Sequence, residues 1–491
     1  MSWNRFTLSS AGSAAQSSAL AAVSRIAGSM EVWWIGGNGS VQGAYWYDGA
    51  PWTRYEIAPA GSASTNGGIT AVSRIPGSME LWWIGGNGSV QGAYWYDGAP
   101  WTRYEIAPAG SASTNGGITA VSRIPGSMEL WWIGGNGSVQ GAYWYDGAPW
   151  TRYEIAPAGN ASTNGGITAV SRIPGSMELW FTGANGSIQG AYWYDGAPWT
   201  RYEIAPAGNA STNGGITAVS RIPGSMELWF TGANGSIQGA YWYDGAPWTR
   251  YEIAPAGNAS TNGGITAVSR IPGSMELWFT GANGSVQGAY WYDGAPWTRY
   301  EIAPAGNAST NGGITAVSRI PGSMELWWIG GDSSVQDSFW YDTSSKNFDQ
   351  NVTTDIAIGG AAHVVMRQDG FFSFSTHAHD SGFDNIDYTI TAAVMTPDGT
   401  VFTFQHSGHT EGTVAGLPFG TPDRNDDFTF TGNNPKITEK WDGILAGTFK
   451  ADLDATDTLA AGVAGALGDL VQAIVSAAGK AAAQAVVKLV S

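Results

Sequence analysis

The sequence predicts an all-β fold: a seven-bladed β-propeller of 49-residue blades closed by its own N-terminal strand, followed by a β-sandwich-like domain and a C-terminal α-helix. Three observations lead there. A 49-residue unit recurs with near identity through the first 345 of 491 residues. Each unit holds four short apolar and aromatic runs separated by turn residues. The last unit lacks its fourth run, and a copy of that run opens the chain.

The unit reads AVSRIPGSMELWWIGGNGSVQGAYWYDGAPWTRYEIAPAGSASTNGGIT, and its first arginine marks seven copies: Arg25, Arg74, Arg123, Arg172, Arg221, Arg270 and Arg319. In the second copy, strand a is expected over Ile69–Arg74, before the Pro76-Gly77-Ser78 turn. Strand b runs over Met79–Ile84 and ends at Asn87-Gly88, a hairpin signal because both residues accept positive φ. Strand c spans Ser89–Tyr96, before Asp97-Gly98-Ala99-Pro100. Strand d covers Trp101–Ile106. Four strands at this period match a propeller blade, and no part of the unit has apolar residues at helical spacing. A blade is covered on both faces by its neighbours, which accounts for strands b and c being aromatic on both faces.

The seventh copy runs SRIPGSMELWWIGGDSSVQDSFWYDTSSKNFDQ. The period calls for a tryptophan 49 residues after Trp297, and Lys346 stands there instead. The missing strand is found at Trp3–Leu8, with Trp3 matching Trp52 and Arg5 matching Arg54. It is expected to pair beside Val335–Tyr341 as the fourth strand of the seventh blade. Closure of this kind removes open sheet edges.

Only 12% of residues are charged, and the net charge of −17 argues against nucleic-acid backbones and anionic membrane surfaces as partners. Without cysteine, disulfides and thiolate metal sites are impossible. The first residues lack the basic and apolar regions of a signal peptide, so synthesis in the cytoplasm is expected, with release from the cell left open. No cysteine nucleophile, nucleophile elbow or phosphate loop is present, and neither enzymatic activity nor a cofactor is expected.

The hydrophobic-Glu-hydrophobic-aromatic strand b (Met79-Glu80-Leu81-Trp82), the aromatic strand c and the Trp-led strand d resemble those of bacterial seven-bladed propeller lectins of the Photorhabdus type. They resemble tectonin-type propellers more loosely. The resemblance covers about residues 1–345 and implies inter-blade pockets for fucosylated or O-methylated sugars. The stretch WYDGAPW also resembles a turn of six-bladed fucose lectins. Those lectins hold fucose with an arginine on strand b and a glutamate before the turn, where this chain has Glu80 and Ala93. Fucose specificity is therefore not carried over.

The residues make their own case for sugar binding. Sugars have apolar C–H faces rimmed by hydroxyls, which suit an aromatic platform beside fixed donors and acceptors. Arginine supplies a planar donor fork and glutamate accepts paired hydroxyls. The expected ligand set is Trp46, Trp95, Trp144, Trp193, Trp242, Trp291 and Trp340. With it go Glu31, Glu80, Glu129, Glu178, Glu227, Glu276 and Glu325, and the seven arginines named above. Weak single sites on a rigid ring would gain avidity on a glycan-coated surface. The competing reading makes these aromatics packing between blades, with Arg74 and Arg103 paired to Glu80 and Glu105. Strand parity puts Met79, Leu81 and Trp83 on one face and Glu80, Trp82 and Ile84 on the other. Asp97 reads as a turn residue.

The expected domains are residues 1–345, the propeller; 346–450, the β-sandwich-like domain; and 451–491, a helical tail. All five histidines lie between His363 and His409. His377 and His379 share a strand face, and with His406 they form a candidate metal site against the alternative of a polar strand surface. Aligning His406 with His409 would need a bulge at Ser407-Gly408. The tail carries Leu459, Val463, Leu467, Leu470 and Ile474 at helical spacing, with Val486 and Leu489 further on. It is expected to dock, to self-associate into an oligomer, or to touch a membrane. Three functions follow: a multivalent glycan-binding lectin, a protein-interaction scaffold, or a lectin-targeted membrane-active toxin.

Overall fold

The computed structural model describes residues 3–26, 28–47, 50–319, 323–341, 345–354, 356–368, 370–382, 385–411, 424–456 and 485–488. The chain divides into two compact units, Met1–Tyr341 and Asp342–Ser491.

Among the described residues, the first unit holds seven four-stranded antiparallel sheets. Six are built from consecutive strands. The seventh takes the order Asn4–Ser9, Val335–Tyr341, Ser323–Ile329, Ile314–Val317. Asn4 lies opposite Phe339 and Phe6 opposite Asp337, so the N-terminal strand completes blade seven and the ring closes.

Blade two shows the pattern, with strands at Ile69–Val72, Ser78–Ile84, Val90–Tyr96 and Thr102–Ala107. Strand a is shorter than the sequence suggests, and Arg74 stands just beyond it. Trp101 precedes strand d rather than opening it. The Asn87-Gly88 hairpin has Gly88 at φ +74°, and Asn87 Oδ1 accepts from the Ser89 amide at 3.0 Å. Near the axis, the Gly117 amide of blade three donates to Gly165 O of blade four at 3.1 Å.

Every residue of strand b is buried. Met79, Leu81 and Trp83 pack with Trp33 and Ile35 of the preceding blade. Trp82 and Ile84 pack with Met128, Leu130 and Trp132 of the following blade. The alternation of the strand thus sorts its two tryptophans to two different neighbours. Each largely buried ring contributes up to roughly 150–250 Å² of burial at a blade boundary.

Among the described residues, the second unit holds two four-stranded sheets around one core. One runs Ser345–Thr353, Ile358–Arg367, Phe371–Asp380, Asn425–Asn433. The other runs Thr448–Thr456, Ile386–Met395, Thr400–Thr410, Ala485–Lys488. Phe372, Phe374, Phe402 and Phe404 meet between them. Short helices at Pro435–Glu439 and Trp441–Leu445 cover the core with Ile437, Trp441 and Ile444.

The expected helical tail requires correction at both ends. Residue 451 lies inside the strand Thr448–Thr456, and Ala485–Lys488 is a strand pairing parallel with Thr400–Thr403. An apolar run such as AVVK suits either state, and the free edge beside it favours the strand. Residues 457–484 and 489–491 lie outside the described residues. Among those described, no helix is long and apolar enough to cross a membrane.

Candidate inter-blade site

Parity sends the two halves of the predicted ligand set in opposite directions. Arg74 and Glu80 face the following blade, whereas Trp95 faces the preceding one. The three residue types therefore meet across a boundary, with arginine and glutamate from one blade and tryptophan from the next.

Between blades five and six the glutamate and the tryptophan line a cavity of about 370 Å³, and the arginine lies beside it over the tryptophan ring. Glu227, Tyr241, Tyr243 and Tyr251 form one wall, and Met275, Trp291 and Trp297 form the other. The Arg221 guanidinium lies 5.0 Å from the Trp291 ring centroid and 5.8 Å from that of Tyr243. Its terminal nitrogens donate to Tyr243 OH at 2.9 Å and to Pro272 O of the next blade at 2.8 Å. Asp293, on the turn of the next blade, sits 3.4 Å away. The arginine side chain is only 8% exposed, and its Nε is buried with no hydrogen-bond partner. Equivalent contacts recur at Arg25, Arg74, Arg123 and Arg172. The turn aspartate thus has a second role the sequence did not reveal: Asp97 pairs with Arg25 of the blade before it at 3.4 Å.

Glu80 is 3% exposed. Its carboxylate accepts from Tyr104 OH at 3.2 Å, and that hydroxyl accepts from Trp82 Nε1 at 2.8 Å. Trp150 of the next blade packs edge-on to Trp82 at 5.9 Å. Burial raises the Glu80 carboxyl to about 8, although the Tyr104 bond and the Arg74 charge pull it back in part. Glu31, Glu129, Glu178 and Glu227 are raised to about 8 for the same reason. Near neutral pH these groups are therefore largely protonated and offer a hydroxyl donor as well as an acceptor.

Tyr104 and its equivalents were absent from the predicted set. A signal for them existed. Gly92 stands in the middle of strand c, and a Cβ there would lie 2.6 Å from Tyr104 Cζ. A strand glycine marks such a close approach.

Two boundaries differ from the five just described. Between blades six and seven, Arg270 Nε lies 3.9 Å from Glu276 Oε1, and both side chains are fully buried. Trp3 takes the place of Trp150, edge-on to Trp278 at 5.8 Å, and Trp340 is buried. At the boundary of blades seven and one, Arg319 lies over Trp46 at 5.0 Å. There Trp327 Nε1 donates to Asp337 Oδ2 at 2.6 Å rather than to a tyrosine.

A cavity of about 560 Å³ lies on the propeller axis, lined by the Asn-Gly-Gly segments that precede successive blades. Its rim carries asparagines bonded side chain to side chain, including Asn115 to Asn164 at 3.2 Å and Asn262 to Asn311 at 3.3 Å.

In the second unit His377 and His379 share an outward strand face, bonded to Asp427 and Asn425 at 2.7 and 2.8 Å. His406 lies on the other sheet, stacked on Phe428 at 3.9 Å. Burial lowers the His406 imidazole, opposed by Asp426. The strand Thr400–Thr410 runs in regular register, without the bulge needed to align His406 with His409. Among the described residues no group of three or more such side chains is placed to hold a metal ion.

No protein-family model and no curated protein matches the chain. Solved structures do. The BP39L lectin from Burkholderia pseudomallei is similar over 67% of this chain and 96% of its own, at 19% identity and a TM-score of 0.63. AofleA from Arthrobotrys oligospora covers 62% of this chain and 90% of its own, at 16% identity and 0.48. The Aleuria aurantia lectin, a six-bladed propeller, covers 59% and 96%, at 18% identity and 0.44. At such identity the first of these likenesses shows the β-propeller fold that the strand order also shows.

Proposed function

We propose that the chain is a multivalent, non-catalytic lectin that takes surface glycans into its inter-blade aromatic cavities. The observation that carries this is the cavity at Trp291, where aromatic walls meet the buried carboxyl of Glu227 and the Arg221 guanidinium lies over the indole. A sugar ring matches that combination, with its C–H face on the aromatic wall and its hydroxyls on the Glu227 group. A methyl group, as on a fucosylated or O-methylated sugar, suits the apolar wall. The similarity to BP39L, described as a lectin, supports the reading. Five like boundaries would give the avidity of a ring of weak sites.

A glycan array with free-sugar competition, read together with tryptophan fluorescence, tests this. Competable binding to at least one glycan class is expected. Binding to none, with fluorescence unmoved, overturns it.

The scaffold reading draws on one observation. The terminal nitrogens of Arg25 already rivet its blade to Pro76 O and Asp97 of the next. The toxin reading rested on the tail, most of which lies outside the described residues.

A further inference from the structure

The six complete blades carry identical d strands, TRYEIA, and c strands that differ only at their first residue. Apart from that Val–Ile difference, nothing in those strands tells one blade from another. A ring built this way faces a recognition problem at its seam. The c edge of blade seven must take up the first strand of its own chain and refuse a d strand from elsewhere, including a second copy, since that exchange leads to swapped dimers or open chains.

The seam differs at two facing positions. Strand d has tyrosine in six blades, whereas the N-terminal strand has Phe6. Strand c has glycine in six blades, whereas blade seven has Asp337. The two positions are register partners, Gly92 opposite Tyr104 and Phe6 opposite Asp337. The exchange is chemically reciprocal. In blade two the Tyr104 hydroxyl occupies the seat between Trp82 Nε1 and the Glu80 carboxyl. In blade seven the Asp337 carboxyl occupies that seat, 2.6 Å from Trp327 Nε1 and beside the buried Glu325 carboxyl.

We propose that Phe6 and Asp337 are a matched pair that admits the chain's own first strand to blade seven and turns away every tyrosine-bearing d strand. A tyrosine brought to Asp337 finds its hydroxyl seat filled and its ring against a side chain where glycine left room. A phenylalanine brought to Gly92 leaves the Trp82 N–H without its acceptor and Glu80 without its donor. Each mismatch thus fails by a different mechanism, steric in one and polar in the other. Secondary differences follow the same division: Ser338 Oγ donates to Asn4 O at 3.3 Å, and Phe339 meets Phe6 at 6.3 Å.

Full-length F6Y, D337G and F6Y/D337G proteins test this. Both single variants are expected to melt below the unmodified protein and to give several-fold more oligomer by light scattering after refolding. The double variant restores the Tyr–Gly pair and is expected to melt close to the unmodified protein. Selectivity is read by refolding in excess of a fluorescent peptide. The unmodified protein should retain WNRFTLS over WTRYEIA, and the double variant should reverse that preference. Strictly additive losses in the double variant, or no reversal of peptide preference, would overturn the proposal.

Discussion

The guanidinium of Arg221 in blade five rests 5.0 Å above the ring of Trp291 in blade six while donating 2.8 Å to the backbone of that same blade. One side chain therefore serves both as a rivet between blades and as the support of an indole that lines the cavity. The two roles can be separated. Trp291→Ala should lower sugar affinity at that boundary by about fivefold, from loss of roughly 1 kcal/mol of ring contact. Calorimetry should show the other sites unaltered.

Arg221→Lys keeps the charge but cannot span two acceptors in a fixed plane. It should lower the melting temperature as well as the affinity, because the bond to Pro272 is lost with the fork. Scanning calorimetry beside titration separates this result from that of Trp291→Ala.

Tyr104→Phe removes the acceptor of Trp82 Nε1 and the donor to Glu80 in one step. Leaving buried polar groups unmatched costs about 1–3 kcal/mol. Urea unfolding should show that loss, with the same slope against denaturant as the unmodified protein.

The raised glutamates make stability depend on pH. Glu31, Glu80, Glu129, Glu178 and Glu227 ionise near 8 in the fold and near 4.5 unfolded. The folded state thus holds protons that the unfolded chain releases. Their contribution is complete below pH 4.5, falls as pH rises toward 8, and levels off above it. The melting temperature should be lower at pH 8.5 than at pH 5.5, and glutamine at all five positions should flatten the profile.

Deleting residues 1–10 strips the fourth strand from blade seven and exposes the edge of Val335–Tyr341. A lower melting temperature and loss of monodispersity in light scattering are the expected outcome. An unchanged melting temperature and a single species would contradict closure by this strand.

Much of the propeller was legible because repetition turns one local pattern into seven. The period located the blades, parity separated Met79, Leu81 and Trp83 from Glu80, Trp82 and Ile84, and the absent tryptophan at Lys346 pointed back to Trp3. The site was legible in its residue types but not in its assembly. Parity says that Glu80 and Trp95 leave by opposite faces, but only the ring says which blade each one meets. Tyr104 was hidden because strand d alternates like any outer strand, and its role depends on a hydroxyl reaching over Gly92. Asp97 passed for a simple turn residue because its partner Arg25 is 72 positions earlier. In the second unit the AVVK strand was misread because a short apolar run carries no period of its own.

The N-terminal strand has a bearing on how the gene can change. A unit copied almost verbatim invites recombination, which adds or removes whole repeats. Both halves of the seam lie outside the interchangeable copies, one at Asn4–Ser9 and the other at Val335–Tyr341. Slippage among the inner copies therefore leaves the clasp untouched. Only the angle through which each blade must turn would register the change, so the size of the circle is set by geometry and not by any residue that counts.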